Sequence, residues 1–225
     1  SGTDVSISGI ELTVNSVYSL TSLLDSSAIY ATGSLTVTEG AVVETHSNIY
    51  ARGMFRLDNG ANLTVYGVGG EFDPETVPSE EKDMIGNALQ SETSIEVFGT
   101  ATRLTIYCDY ETQVETAAIS TTNGADITIS EATVLVEKNA ESGFAFGYGV
   151  WAGHSCWITN RAQVTFNVYR VGLGGASGSN ADIVIEHKKE GEPLPEDDPL
   201  TKLTVTTVSE EGKLFELGGK SKGWI

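Results

Sequence analysis

Basic residues are scarce in this 225-residue chain. Thirteen Lys and Arg stand against 31 Asp and Glu, for a formal charge of −18. A surface of that sign repels phosphate backbones and anionic lipids, so neither nucleic acid nor an acidic membrane is an expected partner. Long apolar runs are also missing. None approaches the roughly 18–20 residues that a spanning helix needs, and membrane insertion is not expected. The two cysteines, Cys108 and Cys156, are too few for a disulfide framework. Both fall on inward positions of alternating stretches and read as buried thiols. The three histidines, His46, His154 and His187, share no spacing that suggests a metal site or a proton relay. No P-loop, nucleophile elbow or H-E-x-x-H is present. The largest absence is helical: no long stretch sets apolar residues at i, i+3, i+4 and i+7.

What the chain has instead is punctuation and alternation. Its 25 glycines and many Ser and Thr break it every few residues. Between the breaks lie pieces such as Ser34–Thr38, Asn62–Tyr66, Asp126–Ser130, Thr165–Val168 and Lys202–Thr206, which alternate apolar with polar and favour β-branched residues. These pieces repeat. Ala28–Val43 aligns without a gap on Asn48–Leu63, twenty residues on, and on Gly149–Val164. Apolar residues then coincide at Ile29/Ile49/Val150, Leu35/Phe55/Cys156, Val37/Leu57/Ile158 and Val43/Leu63/Val164, and a small one at Ala41/Ala61/Ala162, with Ala181 assigned to the same corner. Looser copies run through Leu89–Ile106, Ile119–Val136 and Ala181–Ile185, with partial copies in Val5–Val14 and Leu203–Val208.

A repeat of 20–22 residues holding two or three short strands predicts an all-β chain, a single-stranded, right-handed parallel β-helix of roughly eight rungs forming one domain over residues 1–225. Each rung buries its inward residues by stacking on the next at about 4.8 Å. An antiparallel sandwich is the competing architecture. Two acidic insertions break the period, at about 67–88 and 188–199, and contain all five prolines, consistent with excursions from the rod. Residues 79–89 suggest a short helix. The run Gly172–Gly178 lacks the Lys and following helix of a phosphate cradle and is read as a narrow turn.

Candidate chemistry is sparse. Arg56, Asp58 and Glu96 point outward on successive rungs, the nearest approach to a catalytic cluster. The two acids equally serve as salt-bridge partners of the arginine. Tyr30, Tyr50 and Trp151 share one outward repeat position, and Trp157 follows on the next face. In register on a rigid rod they offer flat surfaces for sugar rings, or simply shield a ladder. Gln90, Ser120 and Gly172 are assigned to the same position and interrupt the stripe. In the acidic insertions, Asp73, Glu75, Asp197 and Asp198 supply hard oxygen ligands suited to calcium, although solvated loops account for them equally.

The rungs Ala28–Thr45, Asn48–Tyr66 and Gly149–Phe166 resemble the right-handed parallel β-helix, or pectate-lyase-like, superfamily of bacterial extracellular proteins. In particular they look like its small, acidic, non-catalytic members that bind carbohydrate at the cell surface, some with calcium. The resemblance implies an extracellular or cell-surface adhesin-like module whose partner is a polysaccharide or host glycan, using Tyr30, Tyr50, Trp151 and Trp157. It supplies no catalytic residue. A stalk domain of a larger surface or phage-fibre protein is the alternative, and a polysaccharide lyase or glycosidase the second.

Overall fold

The computed structural model describes residues 2–16, 21–68, 75, 85–109, 116–122, 124–175, 182–186, 200–217 and 222–224. Every strand pairing among them is parallel, and three sheets run the length of the chain, of eight, seven and seven strands. The first sheet carries Val5–Ser8, Leu35–Thr38, Phe55–Leu57, Ser94–Phe98, Asp126–Ser130, Cys156–Thr159, Asp182–Ile185 and Lys222–Trp224. The second carries Glu11–Val14, Val42–Thr45, Asn62–Gly67, Arg103–Cys108, Thr133–Glu137, Gln163–Val168 and Lys202–Thr207. The third carries Ser27–Ala31, Asn48–Ala51, Leu89–Ser91, Ala117–Thr121, Tyr148–Ala152, Val171–Gly175 and Lys213–Leu217. Consecutive strands visit the three sheets in turn, and each pairs with the strand three places on. This is a parallel β-helix, and the antiparallel sandwich is excluded. No helix occurs among the described residues.

The inward residues form the predicted ladders. Ile29 lies over Ile49, Leu89, Ile119, Val150, Leu173 and Phe215. Leu35 lies over Phe55, Ile95, Ile127, Cys156 and Ile183. Burial is near complete along these ladders except at the partly buried ends Ile29 and Phe215, and neither cysteine forms a disulfide. At about 25 cal/mol per Å² of apolar surface, such continuous stacking is the main stabilising term.

The corner from the first to the second sheet is one motif reused. Glu39 and Gly40, Asn59 and Gly60, and Asn160 and Arg161 all have positive φ, and Ala41, Ala61 and Ala162 each donate their N–H to the carbonyl three residues back. These are the angles of a type I′ turn, which favours Asn-Gly. The alanine that follows is fully buried. The predicted fourth member, Ala181, lies outside the described residues, and Thr201 takes that level, since Lys202 pairs with Gln163.

Two further expectations need correction. Val171–Gly175 is a buried strand, not a narrow turn. Its glycines are there for space: a Cβ on Gly172 would come within 2.7 Å of Val205, and one on Gly174 within 2.5 Å of the Trp151 indole. The suggested helix at 79–89 falls outside the described residues over 79–84, while Ile85 and Gly86 form a turn and Leu89 begins a strand. The period is also interrupted between Cys108 and Ala117 and between Glu137 and Tyr148, neither of which the repeat indicates. The second interruption sends Phe146, fully buried, into the core.

Candidate functional site

The third sheet holds the aromatic position singled out by the repeat. Tyr30 lies over Tyr50, followed by Gln90, Ser120, Trp151, Gly174 and Glu216, so that Gly174 and not Gly172 follows Trp151 in the ladder. This outward face is partly covered: Tyr30 and Trp151 are half-buried, and the positions between them are buried. Tyr50 is 2% exposed beneath Leu23 and Ile85, and Gln90 and Ser120 are buried beside it. The Tyr50 hydroxyl donates to Glu92, and burial together with that carboxylate pushes its pKa up. The Tyr30 and Tyr50 rings stack at 5.0 Å, and the Trp151 indole lies across Gly174 with Tyr148 against it edge-on at 4.8 Å. Rings repeated at the strand spacing spend their faces on one another. Trp157 sits apart, on the first sheet between Thr128 and Val184, and is 37% exposed.

The first sheet brings Arg56, Asp58 and Glu96 together. Thr36, Arg56, Glu96, Thr128 and Trp157 form one outward ladder, and Phe98 and Ser130 belong to the adjacent one. Arg56 Nε donates to Asp58 Oδ2 at 2.6 Å and Nη1 to Glu96 Oε2 at 3.1 Å. The guanidinium carbon stands 5.5 Å from the Phe98 ring centroid. Asp58, nearly buried, also accepts from the Thr38 hydroxyl, to which Asn59 Nδ2 donates at 3.1 Å. The hydrogen bond that Arg56 donates to Asp58 raises the Arg56 pKa further, which keeps the guanidinium charged and unsuited to abstracting a proton. Together Arg56, Asp58, Asn59, Phe98 and Glu131, with Gly60 and residues 99–101, line a shallow recess of about 330 Å³. Asn59 and Glu131 were not expected there. The Asn59-Gly60 turn signal was legible, but the direction a corner side chain takes is set by its positive φ.

Two other groupings are new. Beside Trp157, His154 Nδ1 lies 2.6 Å from Asp126 Oδ1 and 3.3 Å from Ser155 Oγ. The composition is that of a hydrolase triad and the geometry is not, because a relay sets hydroxyl and carboxylate on opposite ring nitrogens. Asp126 also accepts the Ser155 N–H at 2.8 Å, a bond that ties successive rungs. On the second sheet, His46 stacks on Tyr66 at 4.6 Å and Tyr66 on Tyr107 at 5.2 Å. His187 lies outside the described residues. Among the calcium-ligand candidates, Asp73, Asp197 and Asp198 also lie outside them, and Glu75 is exposed at a turn. Among the described residues no group of three or more His, Cys, Asp or Glu could hold a metal ion.

No family model, curated protein or solved structure matches this chain.

Proposed function

We propose that this chain is a non-catalytic binding module that takes a polysaccharide along the outer face of its first sheet, at a cell surface or outside the cell. The observation that carries the reading is the Arg56–Phe98 recess, where an aromatic ring stands beside a guanidinium fixed by two carboxylates, with Asn59 and Glu131 also on the lining. Convergent polar groups around an apolar surface are what a sugar needs, since its ring offers both hydroxyls and a C–H face. Trp157 lies two strand spacings further along, about 10 Å, within the span of a short oligosaccharide. On this reading the chain belongs with the small acidic members of the pectate-lyase-like superfamily, and Tyr30, Tyr50 and Trp151 support the fold instead of touching the ligand. Calcium assistance through Asp73, Glu75, Asp197 and Asp198 is part of the proposal.

A glycan array run with and without calcium tests it. Phe98→Ala and Trp157→Ala should each weaken binding roughly tenfold, the scale of one lost stacking contact of about 1–2 kcal/mol. Trp151→Ala should leave binding unchanged. Loss of binding in Trp151→Ala alone would move the site to the third sheet. A second reading, a rod that only spaces other parts, is favoured by the aromatic faces spent on ladder stacking, and it predicts silence across the array.

A further inference from the structure

We infer that copies of this chain stack head to tail, the last rung of one on the first rung of the next, and so form an open filament. The inference is independent of what the first sheet binds. At one end of the rod Val5–Ser8, Glu11–Val14 and Ser27–Ala31 each pair on one side only, and at the other end so do Lys202–Thr207, Lys213–Leu217 and Lys222–Trp224. Such edges offer backbone donors and acceptors to a further parallel strand. In Glu11–Val14 the alternation fixes which groups these are. The Ile10 and Val14 carbonyls accept from Val42 and His46, so the backbone groups of Glu11 and Thr13 face the open side. The side chains tell the same story. Of the seven large apolar residues exposed among the described ones, five lie in or beside the end rungs: Ile10, Leu24, Leu200, Val208 and Leu214. The inward ladders also stop half-buried, at Leu12, Val14 and Ile29 on one end and Leu203, Val205 and Phe215 on the other. A terminal rung built to face water is polar instead.

Register and charge select a second copy as the partner. The ladder that begins at Glu11 runs through Val42, Asn62, Arg103, Thr133 and Gln163 to Lys202. One more step of about 4.8 Å sets Lys202 of one copy beside Glu11 of the next. Both side chains are exposed. The same step lays Leu203 on Leu12 and Val205 on Val14, and in the third sheet Phe215 on Ile29. The two ends differ in sign as wholes. Residues 1–51 hold five acids and no Lys or Arg, whereas residues 200–225 hold four Lys and three Glu. Lysines on a strand edge ordinarily keep other strands away, and against an acidic edge they attract. Glu216 adds an unmet bond: one of its carboxylate oxygens is buried with no hydrogen-bond partner among the described residues. Its ladder begins at Tyr30, so the next copy brings a tyrosine hydroxyl to that position. Head on tail does not close, and growth is linear. The junction is small, strands of four, four and five residues against six, five and three, where a standard interface uses about 20–30 residues a side. Association therefore depends on concentration.

Sedimentation velocity of the full chain from about 1 μM to about 1 mM tests this, with small-angle X-ray scattering at the upper end. Salt at about 0.15 M screens the general repulsion between copies beyond about 8 Å. Expected is a mass that rises with concentration, and a longest dimension that grows by one rod at a time while the cross-section stays constant. Lys202→Glu and Glu11→Lys should each weaken association roughly fivefold. An equimolar mixture of the two should recover it, because alternating copies restore opposite charges at every junction. Lys138→Glu makes the same change at an exposed position midway along the rod and should do nothing. Thr13→Pro takes an N–H from the open edge and none from inside the rod, and should stop growth. A chain still monomeric at the highest concentration overturns the inference. So does growth in cross-section, a mixture no better than its components, or a Thr13→Pro chain that associates as before.

Discussion

Tyr50 shows how one covered side chain ties stability to pH. Its hydroxyl is buried and donates to Glu92, so ionisation would put two anions together in a poorly solvated place. Burial is the larger cause of its raised pKa and the carboxylate the next. In the unfolded chain a tyrosine loses its proton near 10.0, whereas the folded chain holds it well above that value. Above about pH 10 the native state therefore binds more protons than the unfolded one, and stability falls as pH rises through that region, being fully present below it. Tyr66 is raised as well, and the fully buried Cys156 thiol is pushed up to about 12, so both slope the same way. Tyr50→Phe should cost about 1 kcal/mol at neutral pH, where the hydrogen bond is lost, and should make the alkaline decline shallower. Urea melts at about pH 8 and about pH 10.5, on either side of the ordinary tyrosine value, measure both. A decline as steep in the variant as in the parent chain would assign it to other groups.

At the scale of the strand, side chains on one sheet set the residues allowed on another. Gly172 is in a strand, where glycine is usually a liability, because Val205 of the second sheet fills the space its Cβ would occupy. Gly172→Ala should destabilise the fold by about 1–3 kcal/mol through overpacking. Val205→Ala should cost less in that background than alone, since each change makes room for the other. Strictly additive costs in a double-mutant cycle of denaturant melts would show that the two do not compete. The same logic separates what the sequence discloses from what it hides. Ile29, Ile49 and Val150 were recognisable because stacking in register demands like side chains at fixed spacing. Arg56 and Glu96 could be paired because neighbouring rungs of a ladder lie side by side even when 40 residues separate them. Phe146 was invisible, entering the core from a loop that does not repeat. So was the cover over Tyr50, which Leu23 and Ile85 provide from segments with no period. Assigning Gly172 instead of Gly174 to the aromatic ladder was a slip of two residues, the strand period, which leaves the side-chain face unchanged and so goes unnoticed in a sequence.

For the whole molecule the governing facts are a narrow rod and a one-sided charge. The seven or eight strands stacked in each sheet span about 30 Å at 4.8 Å per step. At 0.01 M salt the screening length is also about 30 Å, so every carboxylate on the rod senses the others, whereas at 0.15 M it is about 8 Å and only neighbouring rungs interact. Few cations offset this repulsion: the ion pairs of Arg52 and Arg56 are local, and residues 1–51 supply none. The unfolded chain spreads the same charge over a larger volume, so repulsion weighs mainly on the folded state. Raising sodium chloride from 0.01 to 0.15 M should therefore stabilise the rod by about 1 kcal/mol and lift its thermal midpoint by roughly 2–4 °C for a chain of this length. Circular dichroism melts at the two salt concentrations decide it. A midpoint that falls with salt would mean that local ion pairs such as Arg56 with Asp58 and Glu96 outweigh the repulsion. In that case Arg56→Met should abolish the salt effect, and the recess would be the electrostatic keystone of the rod.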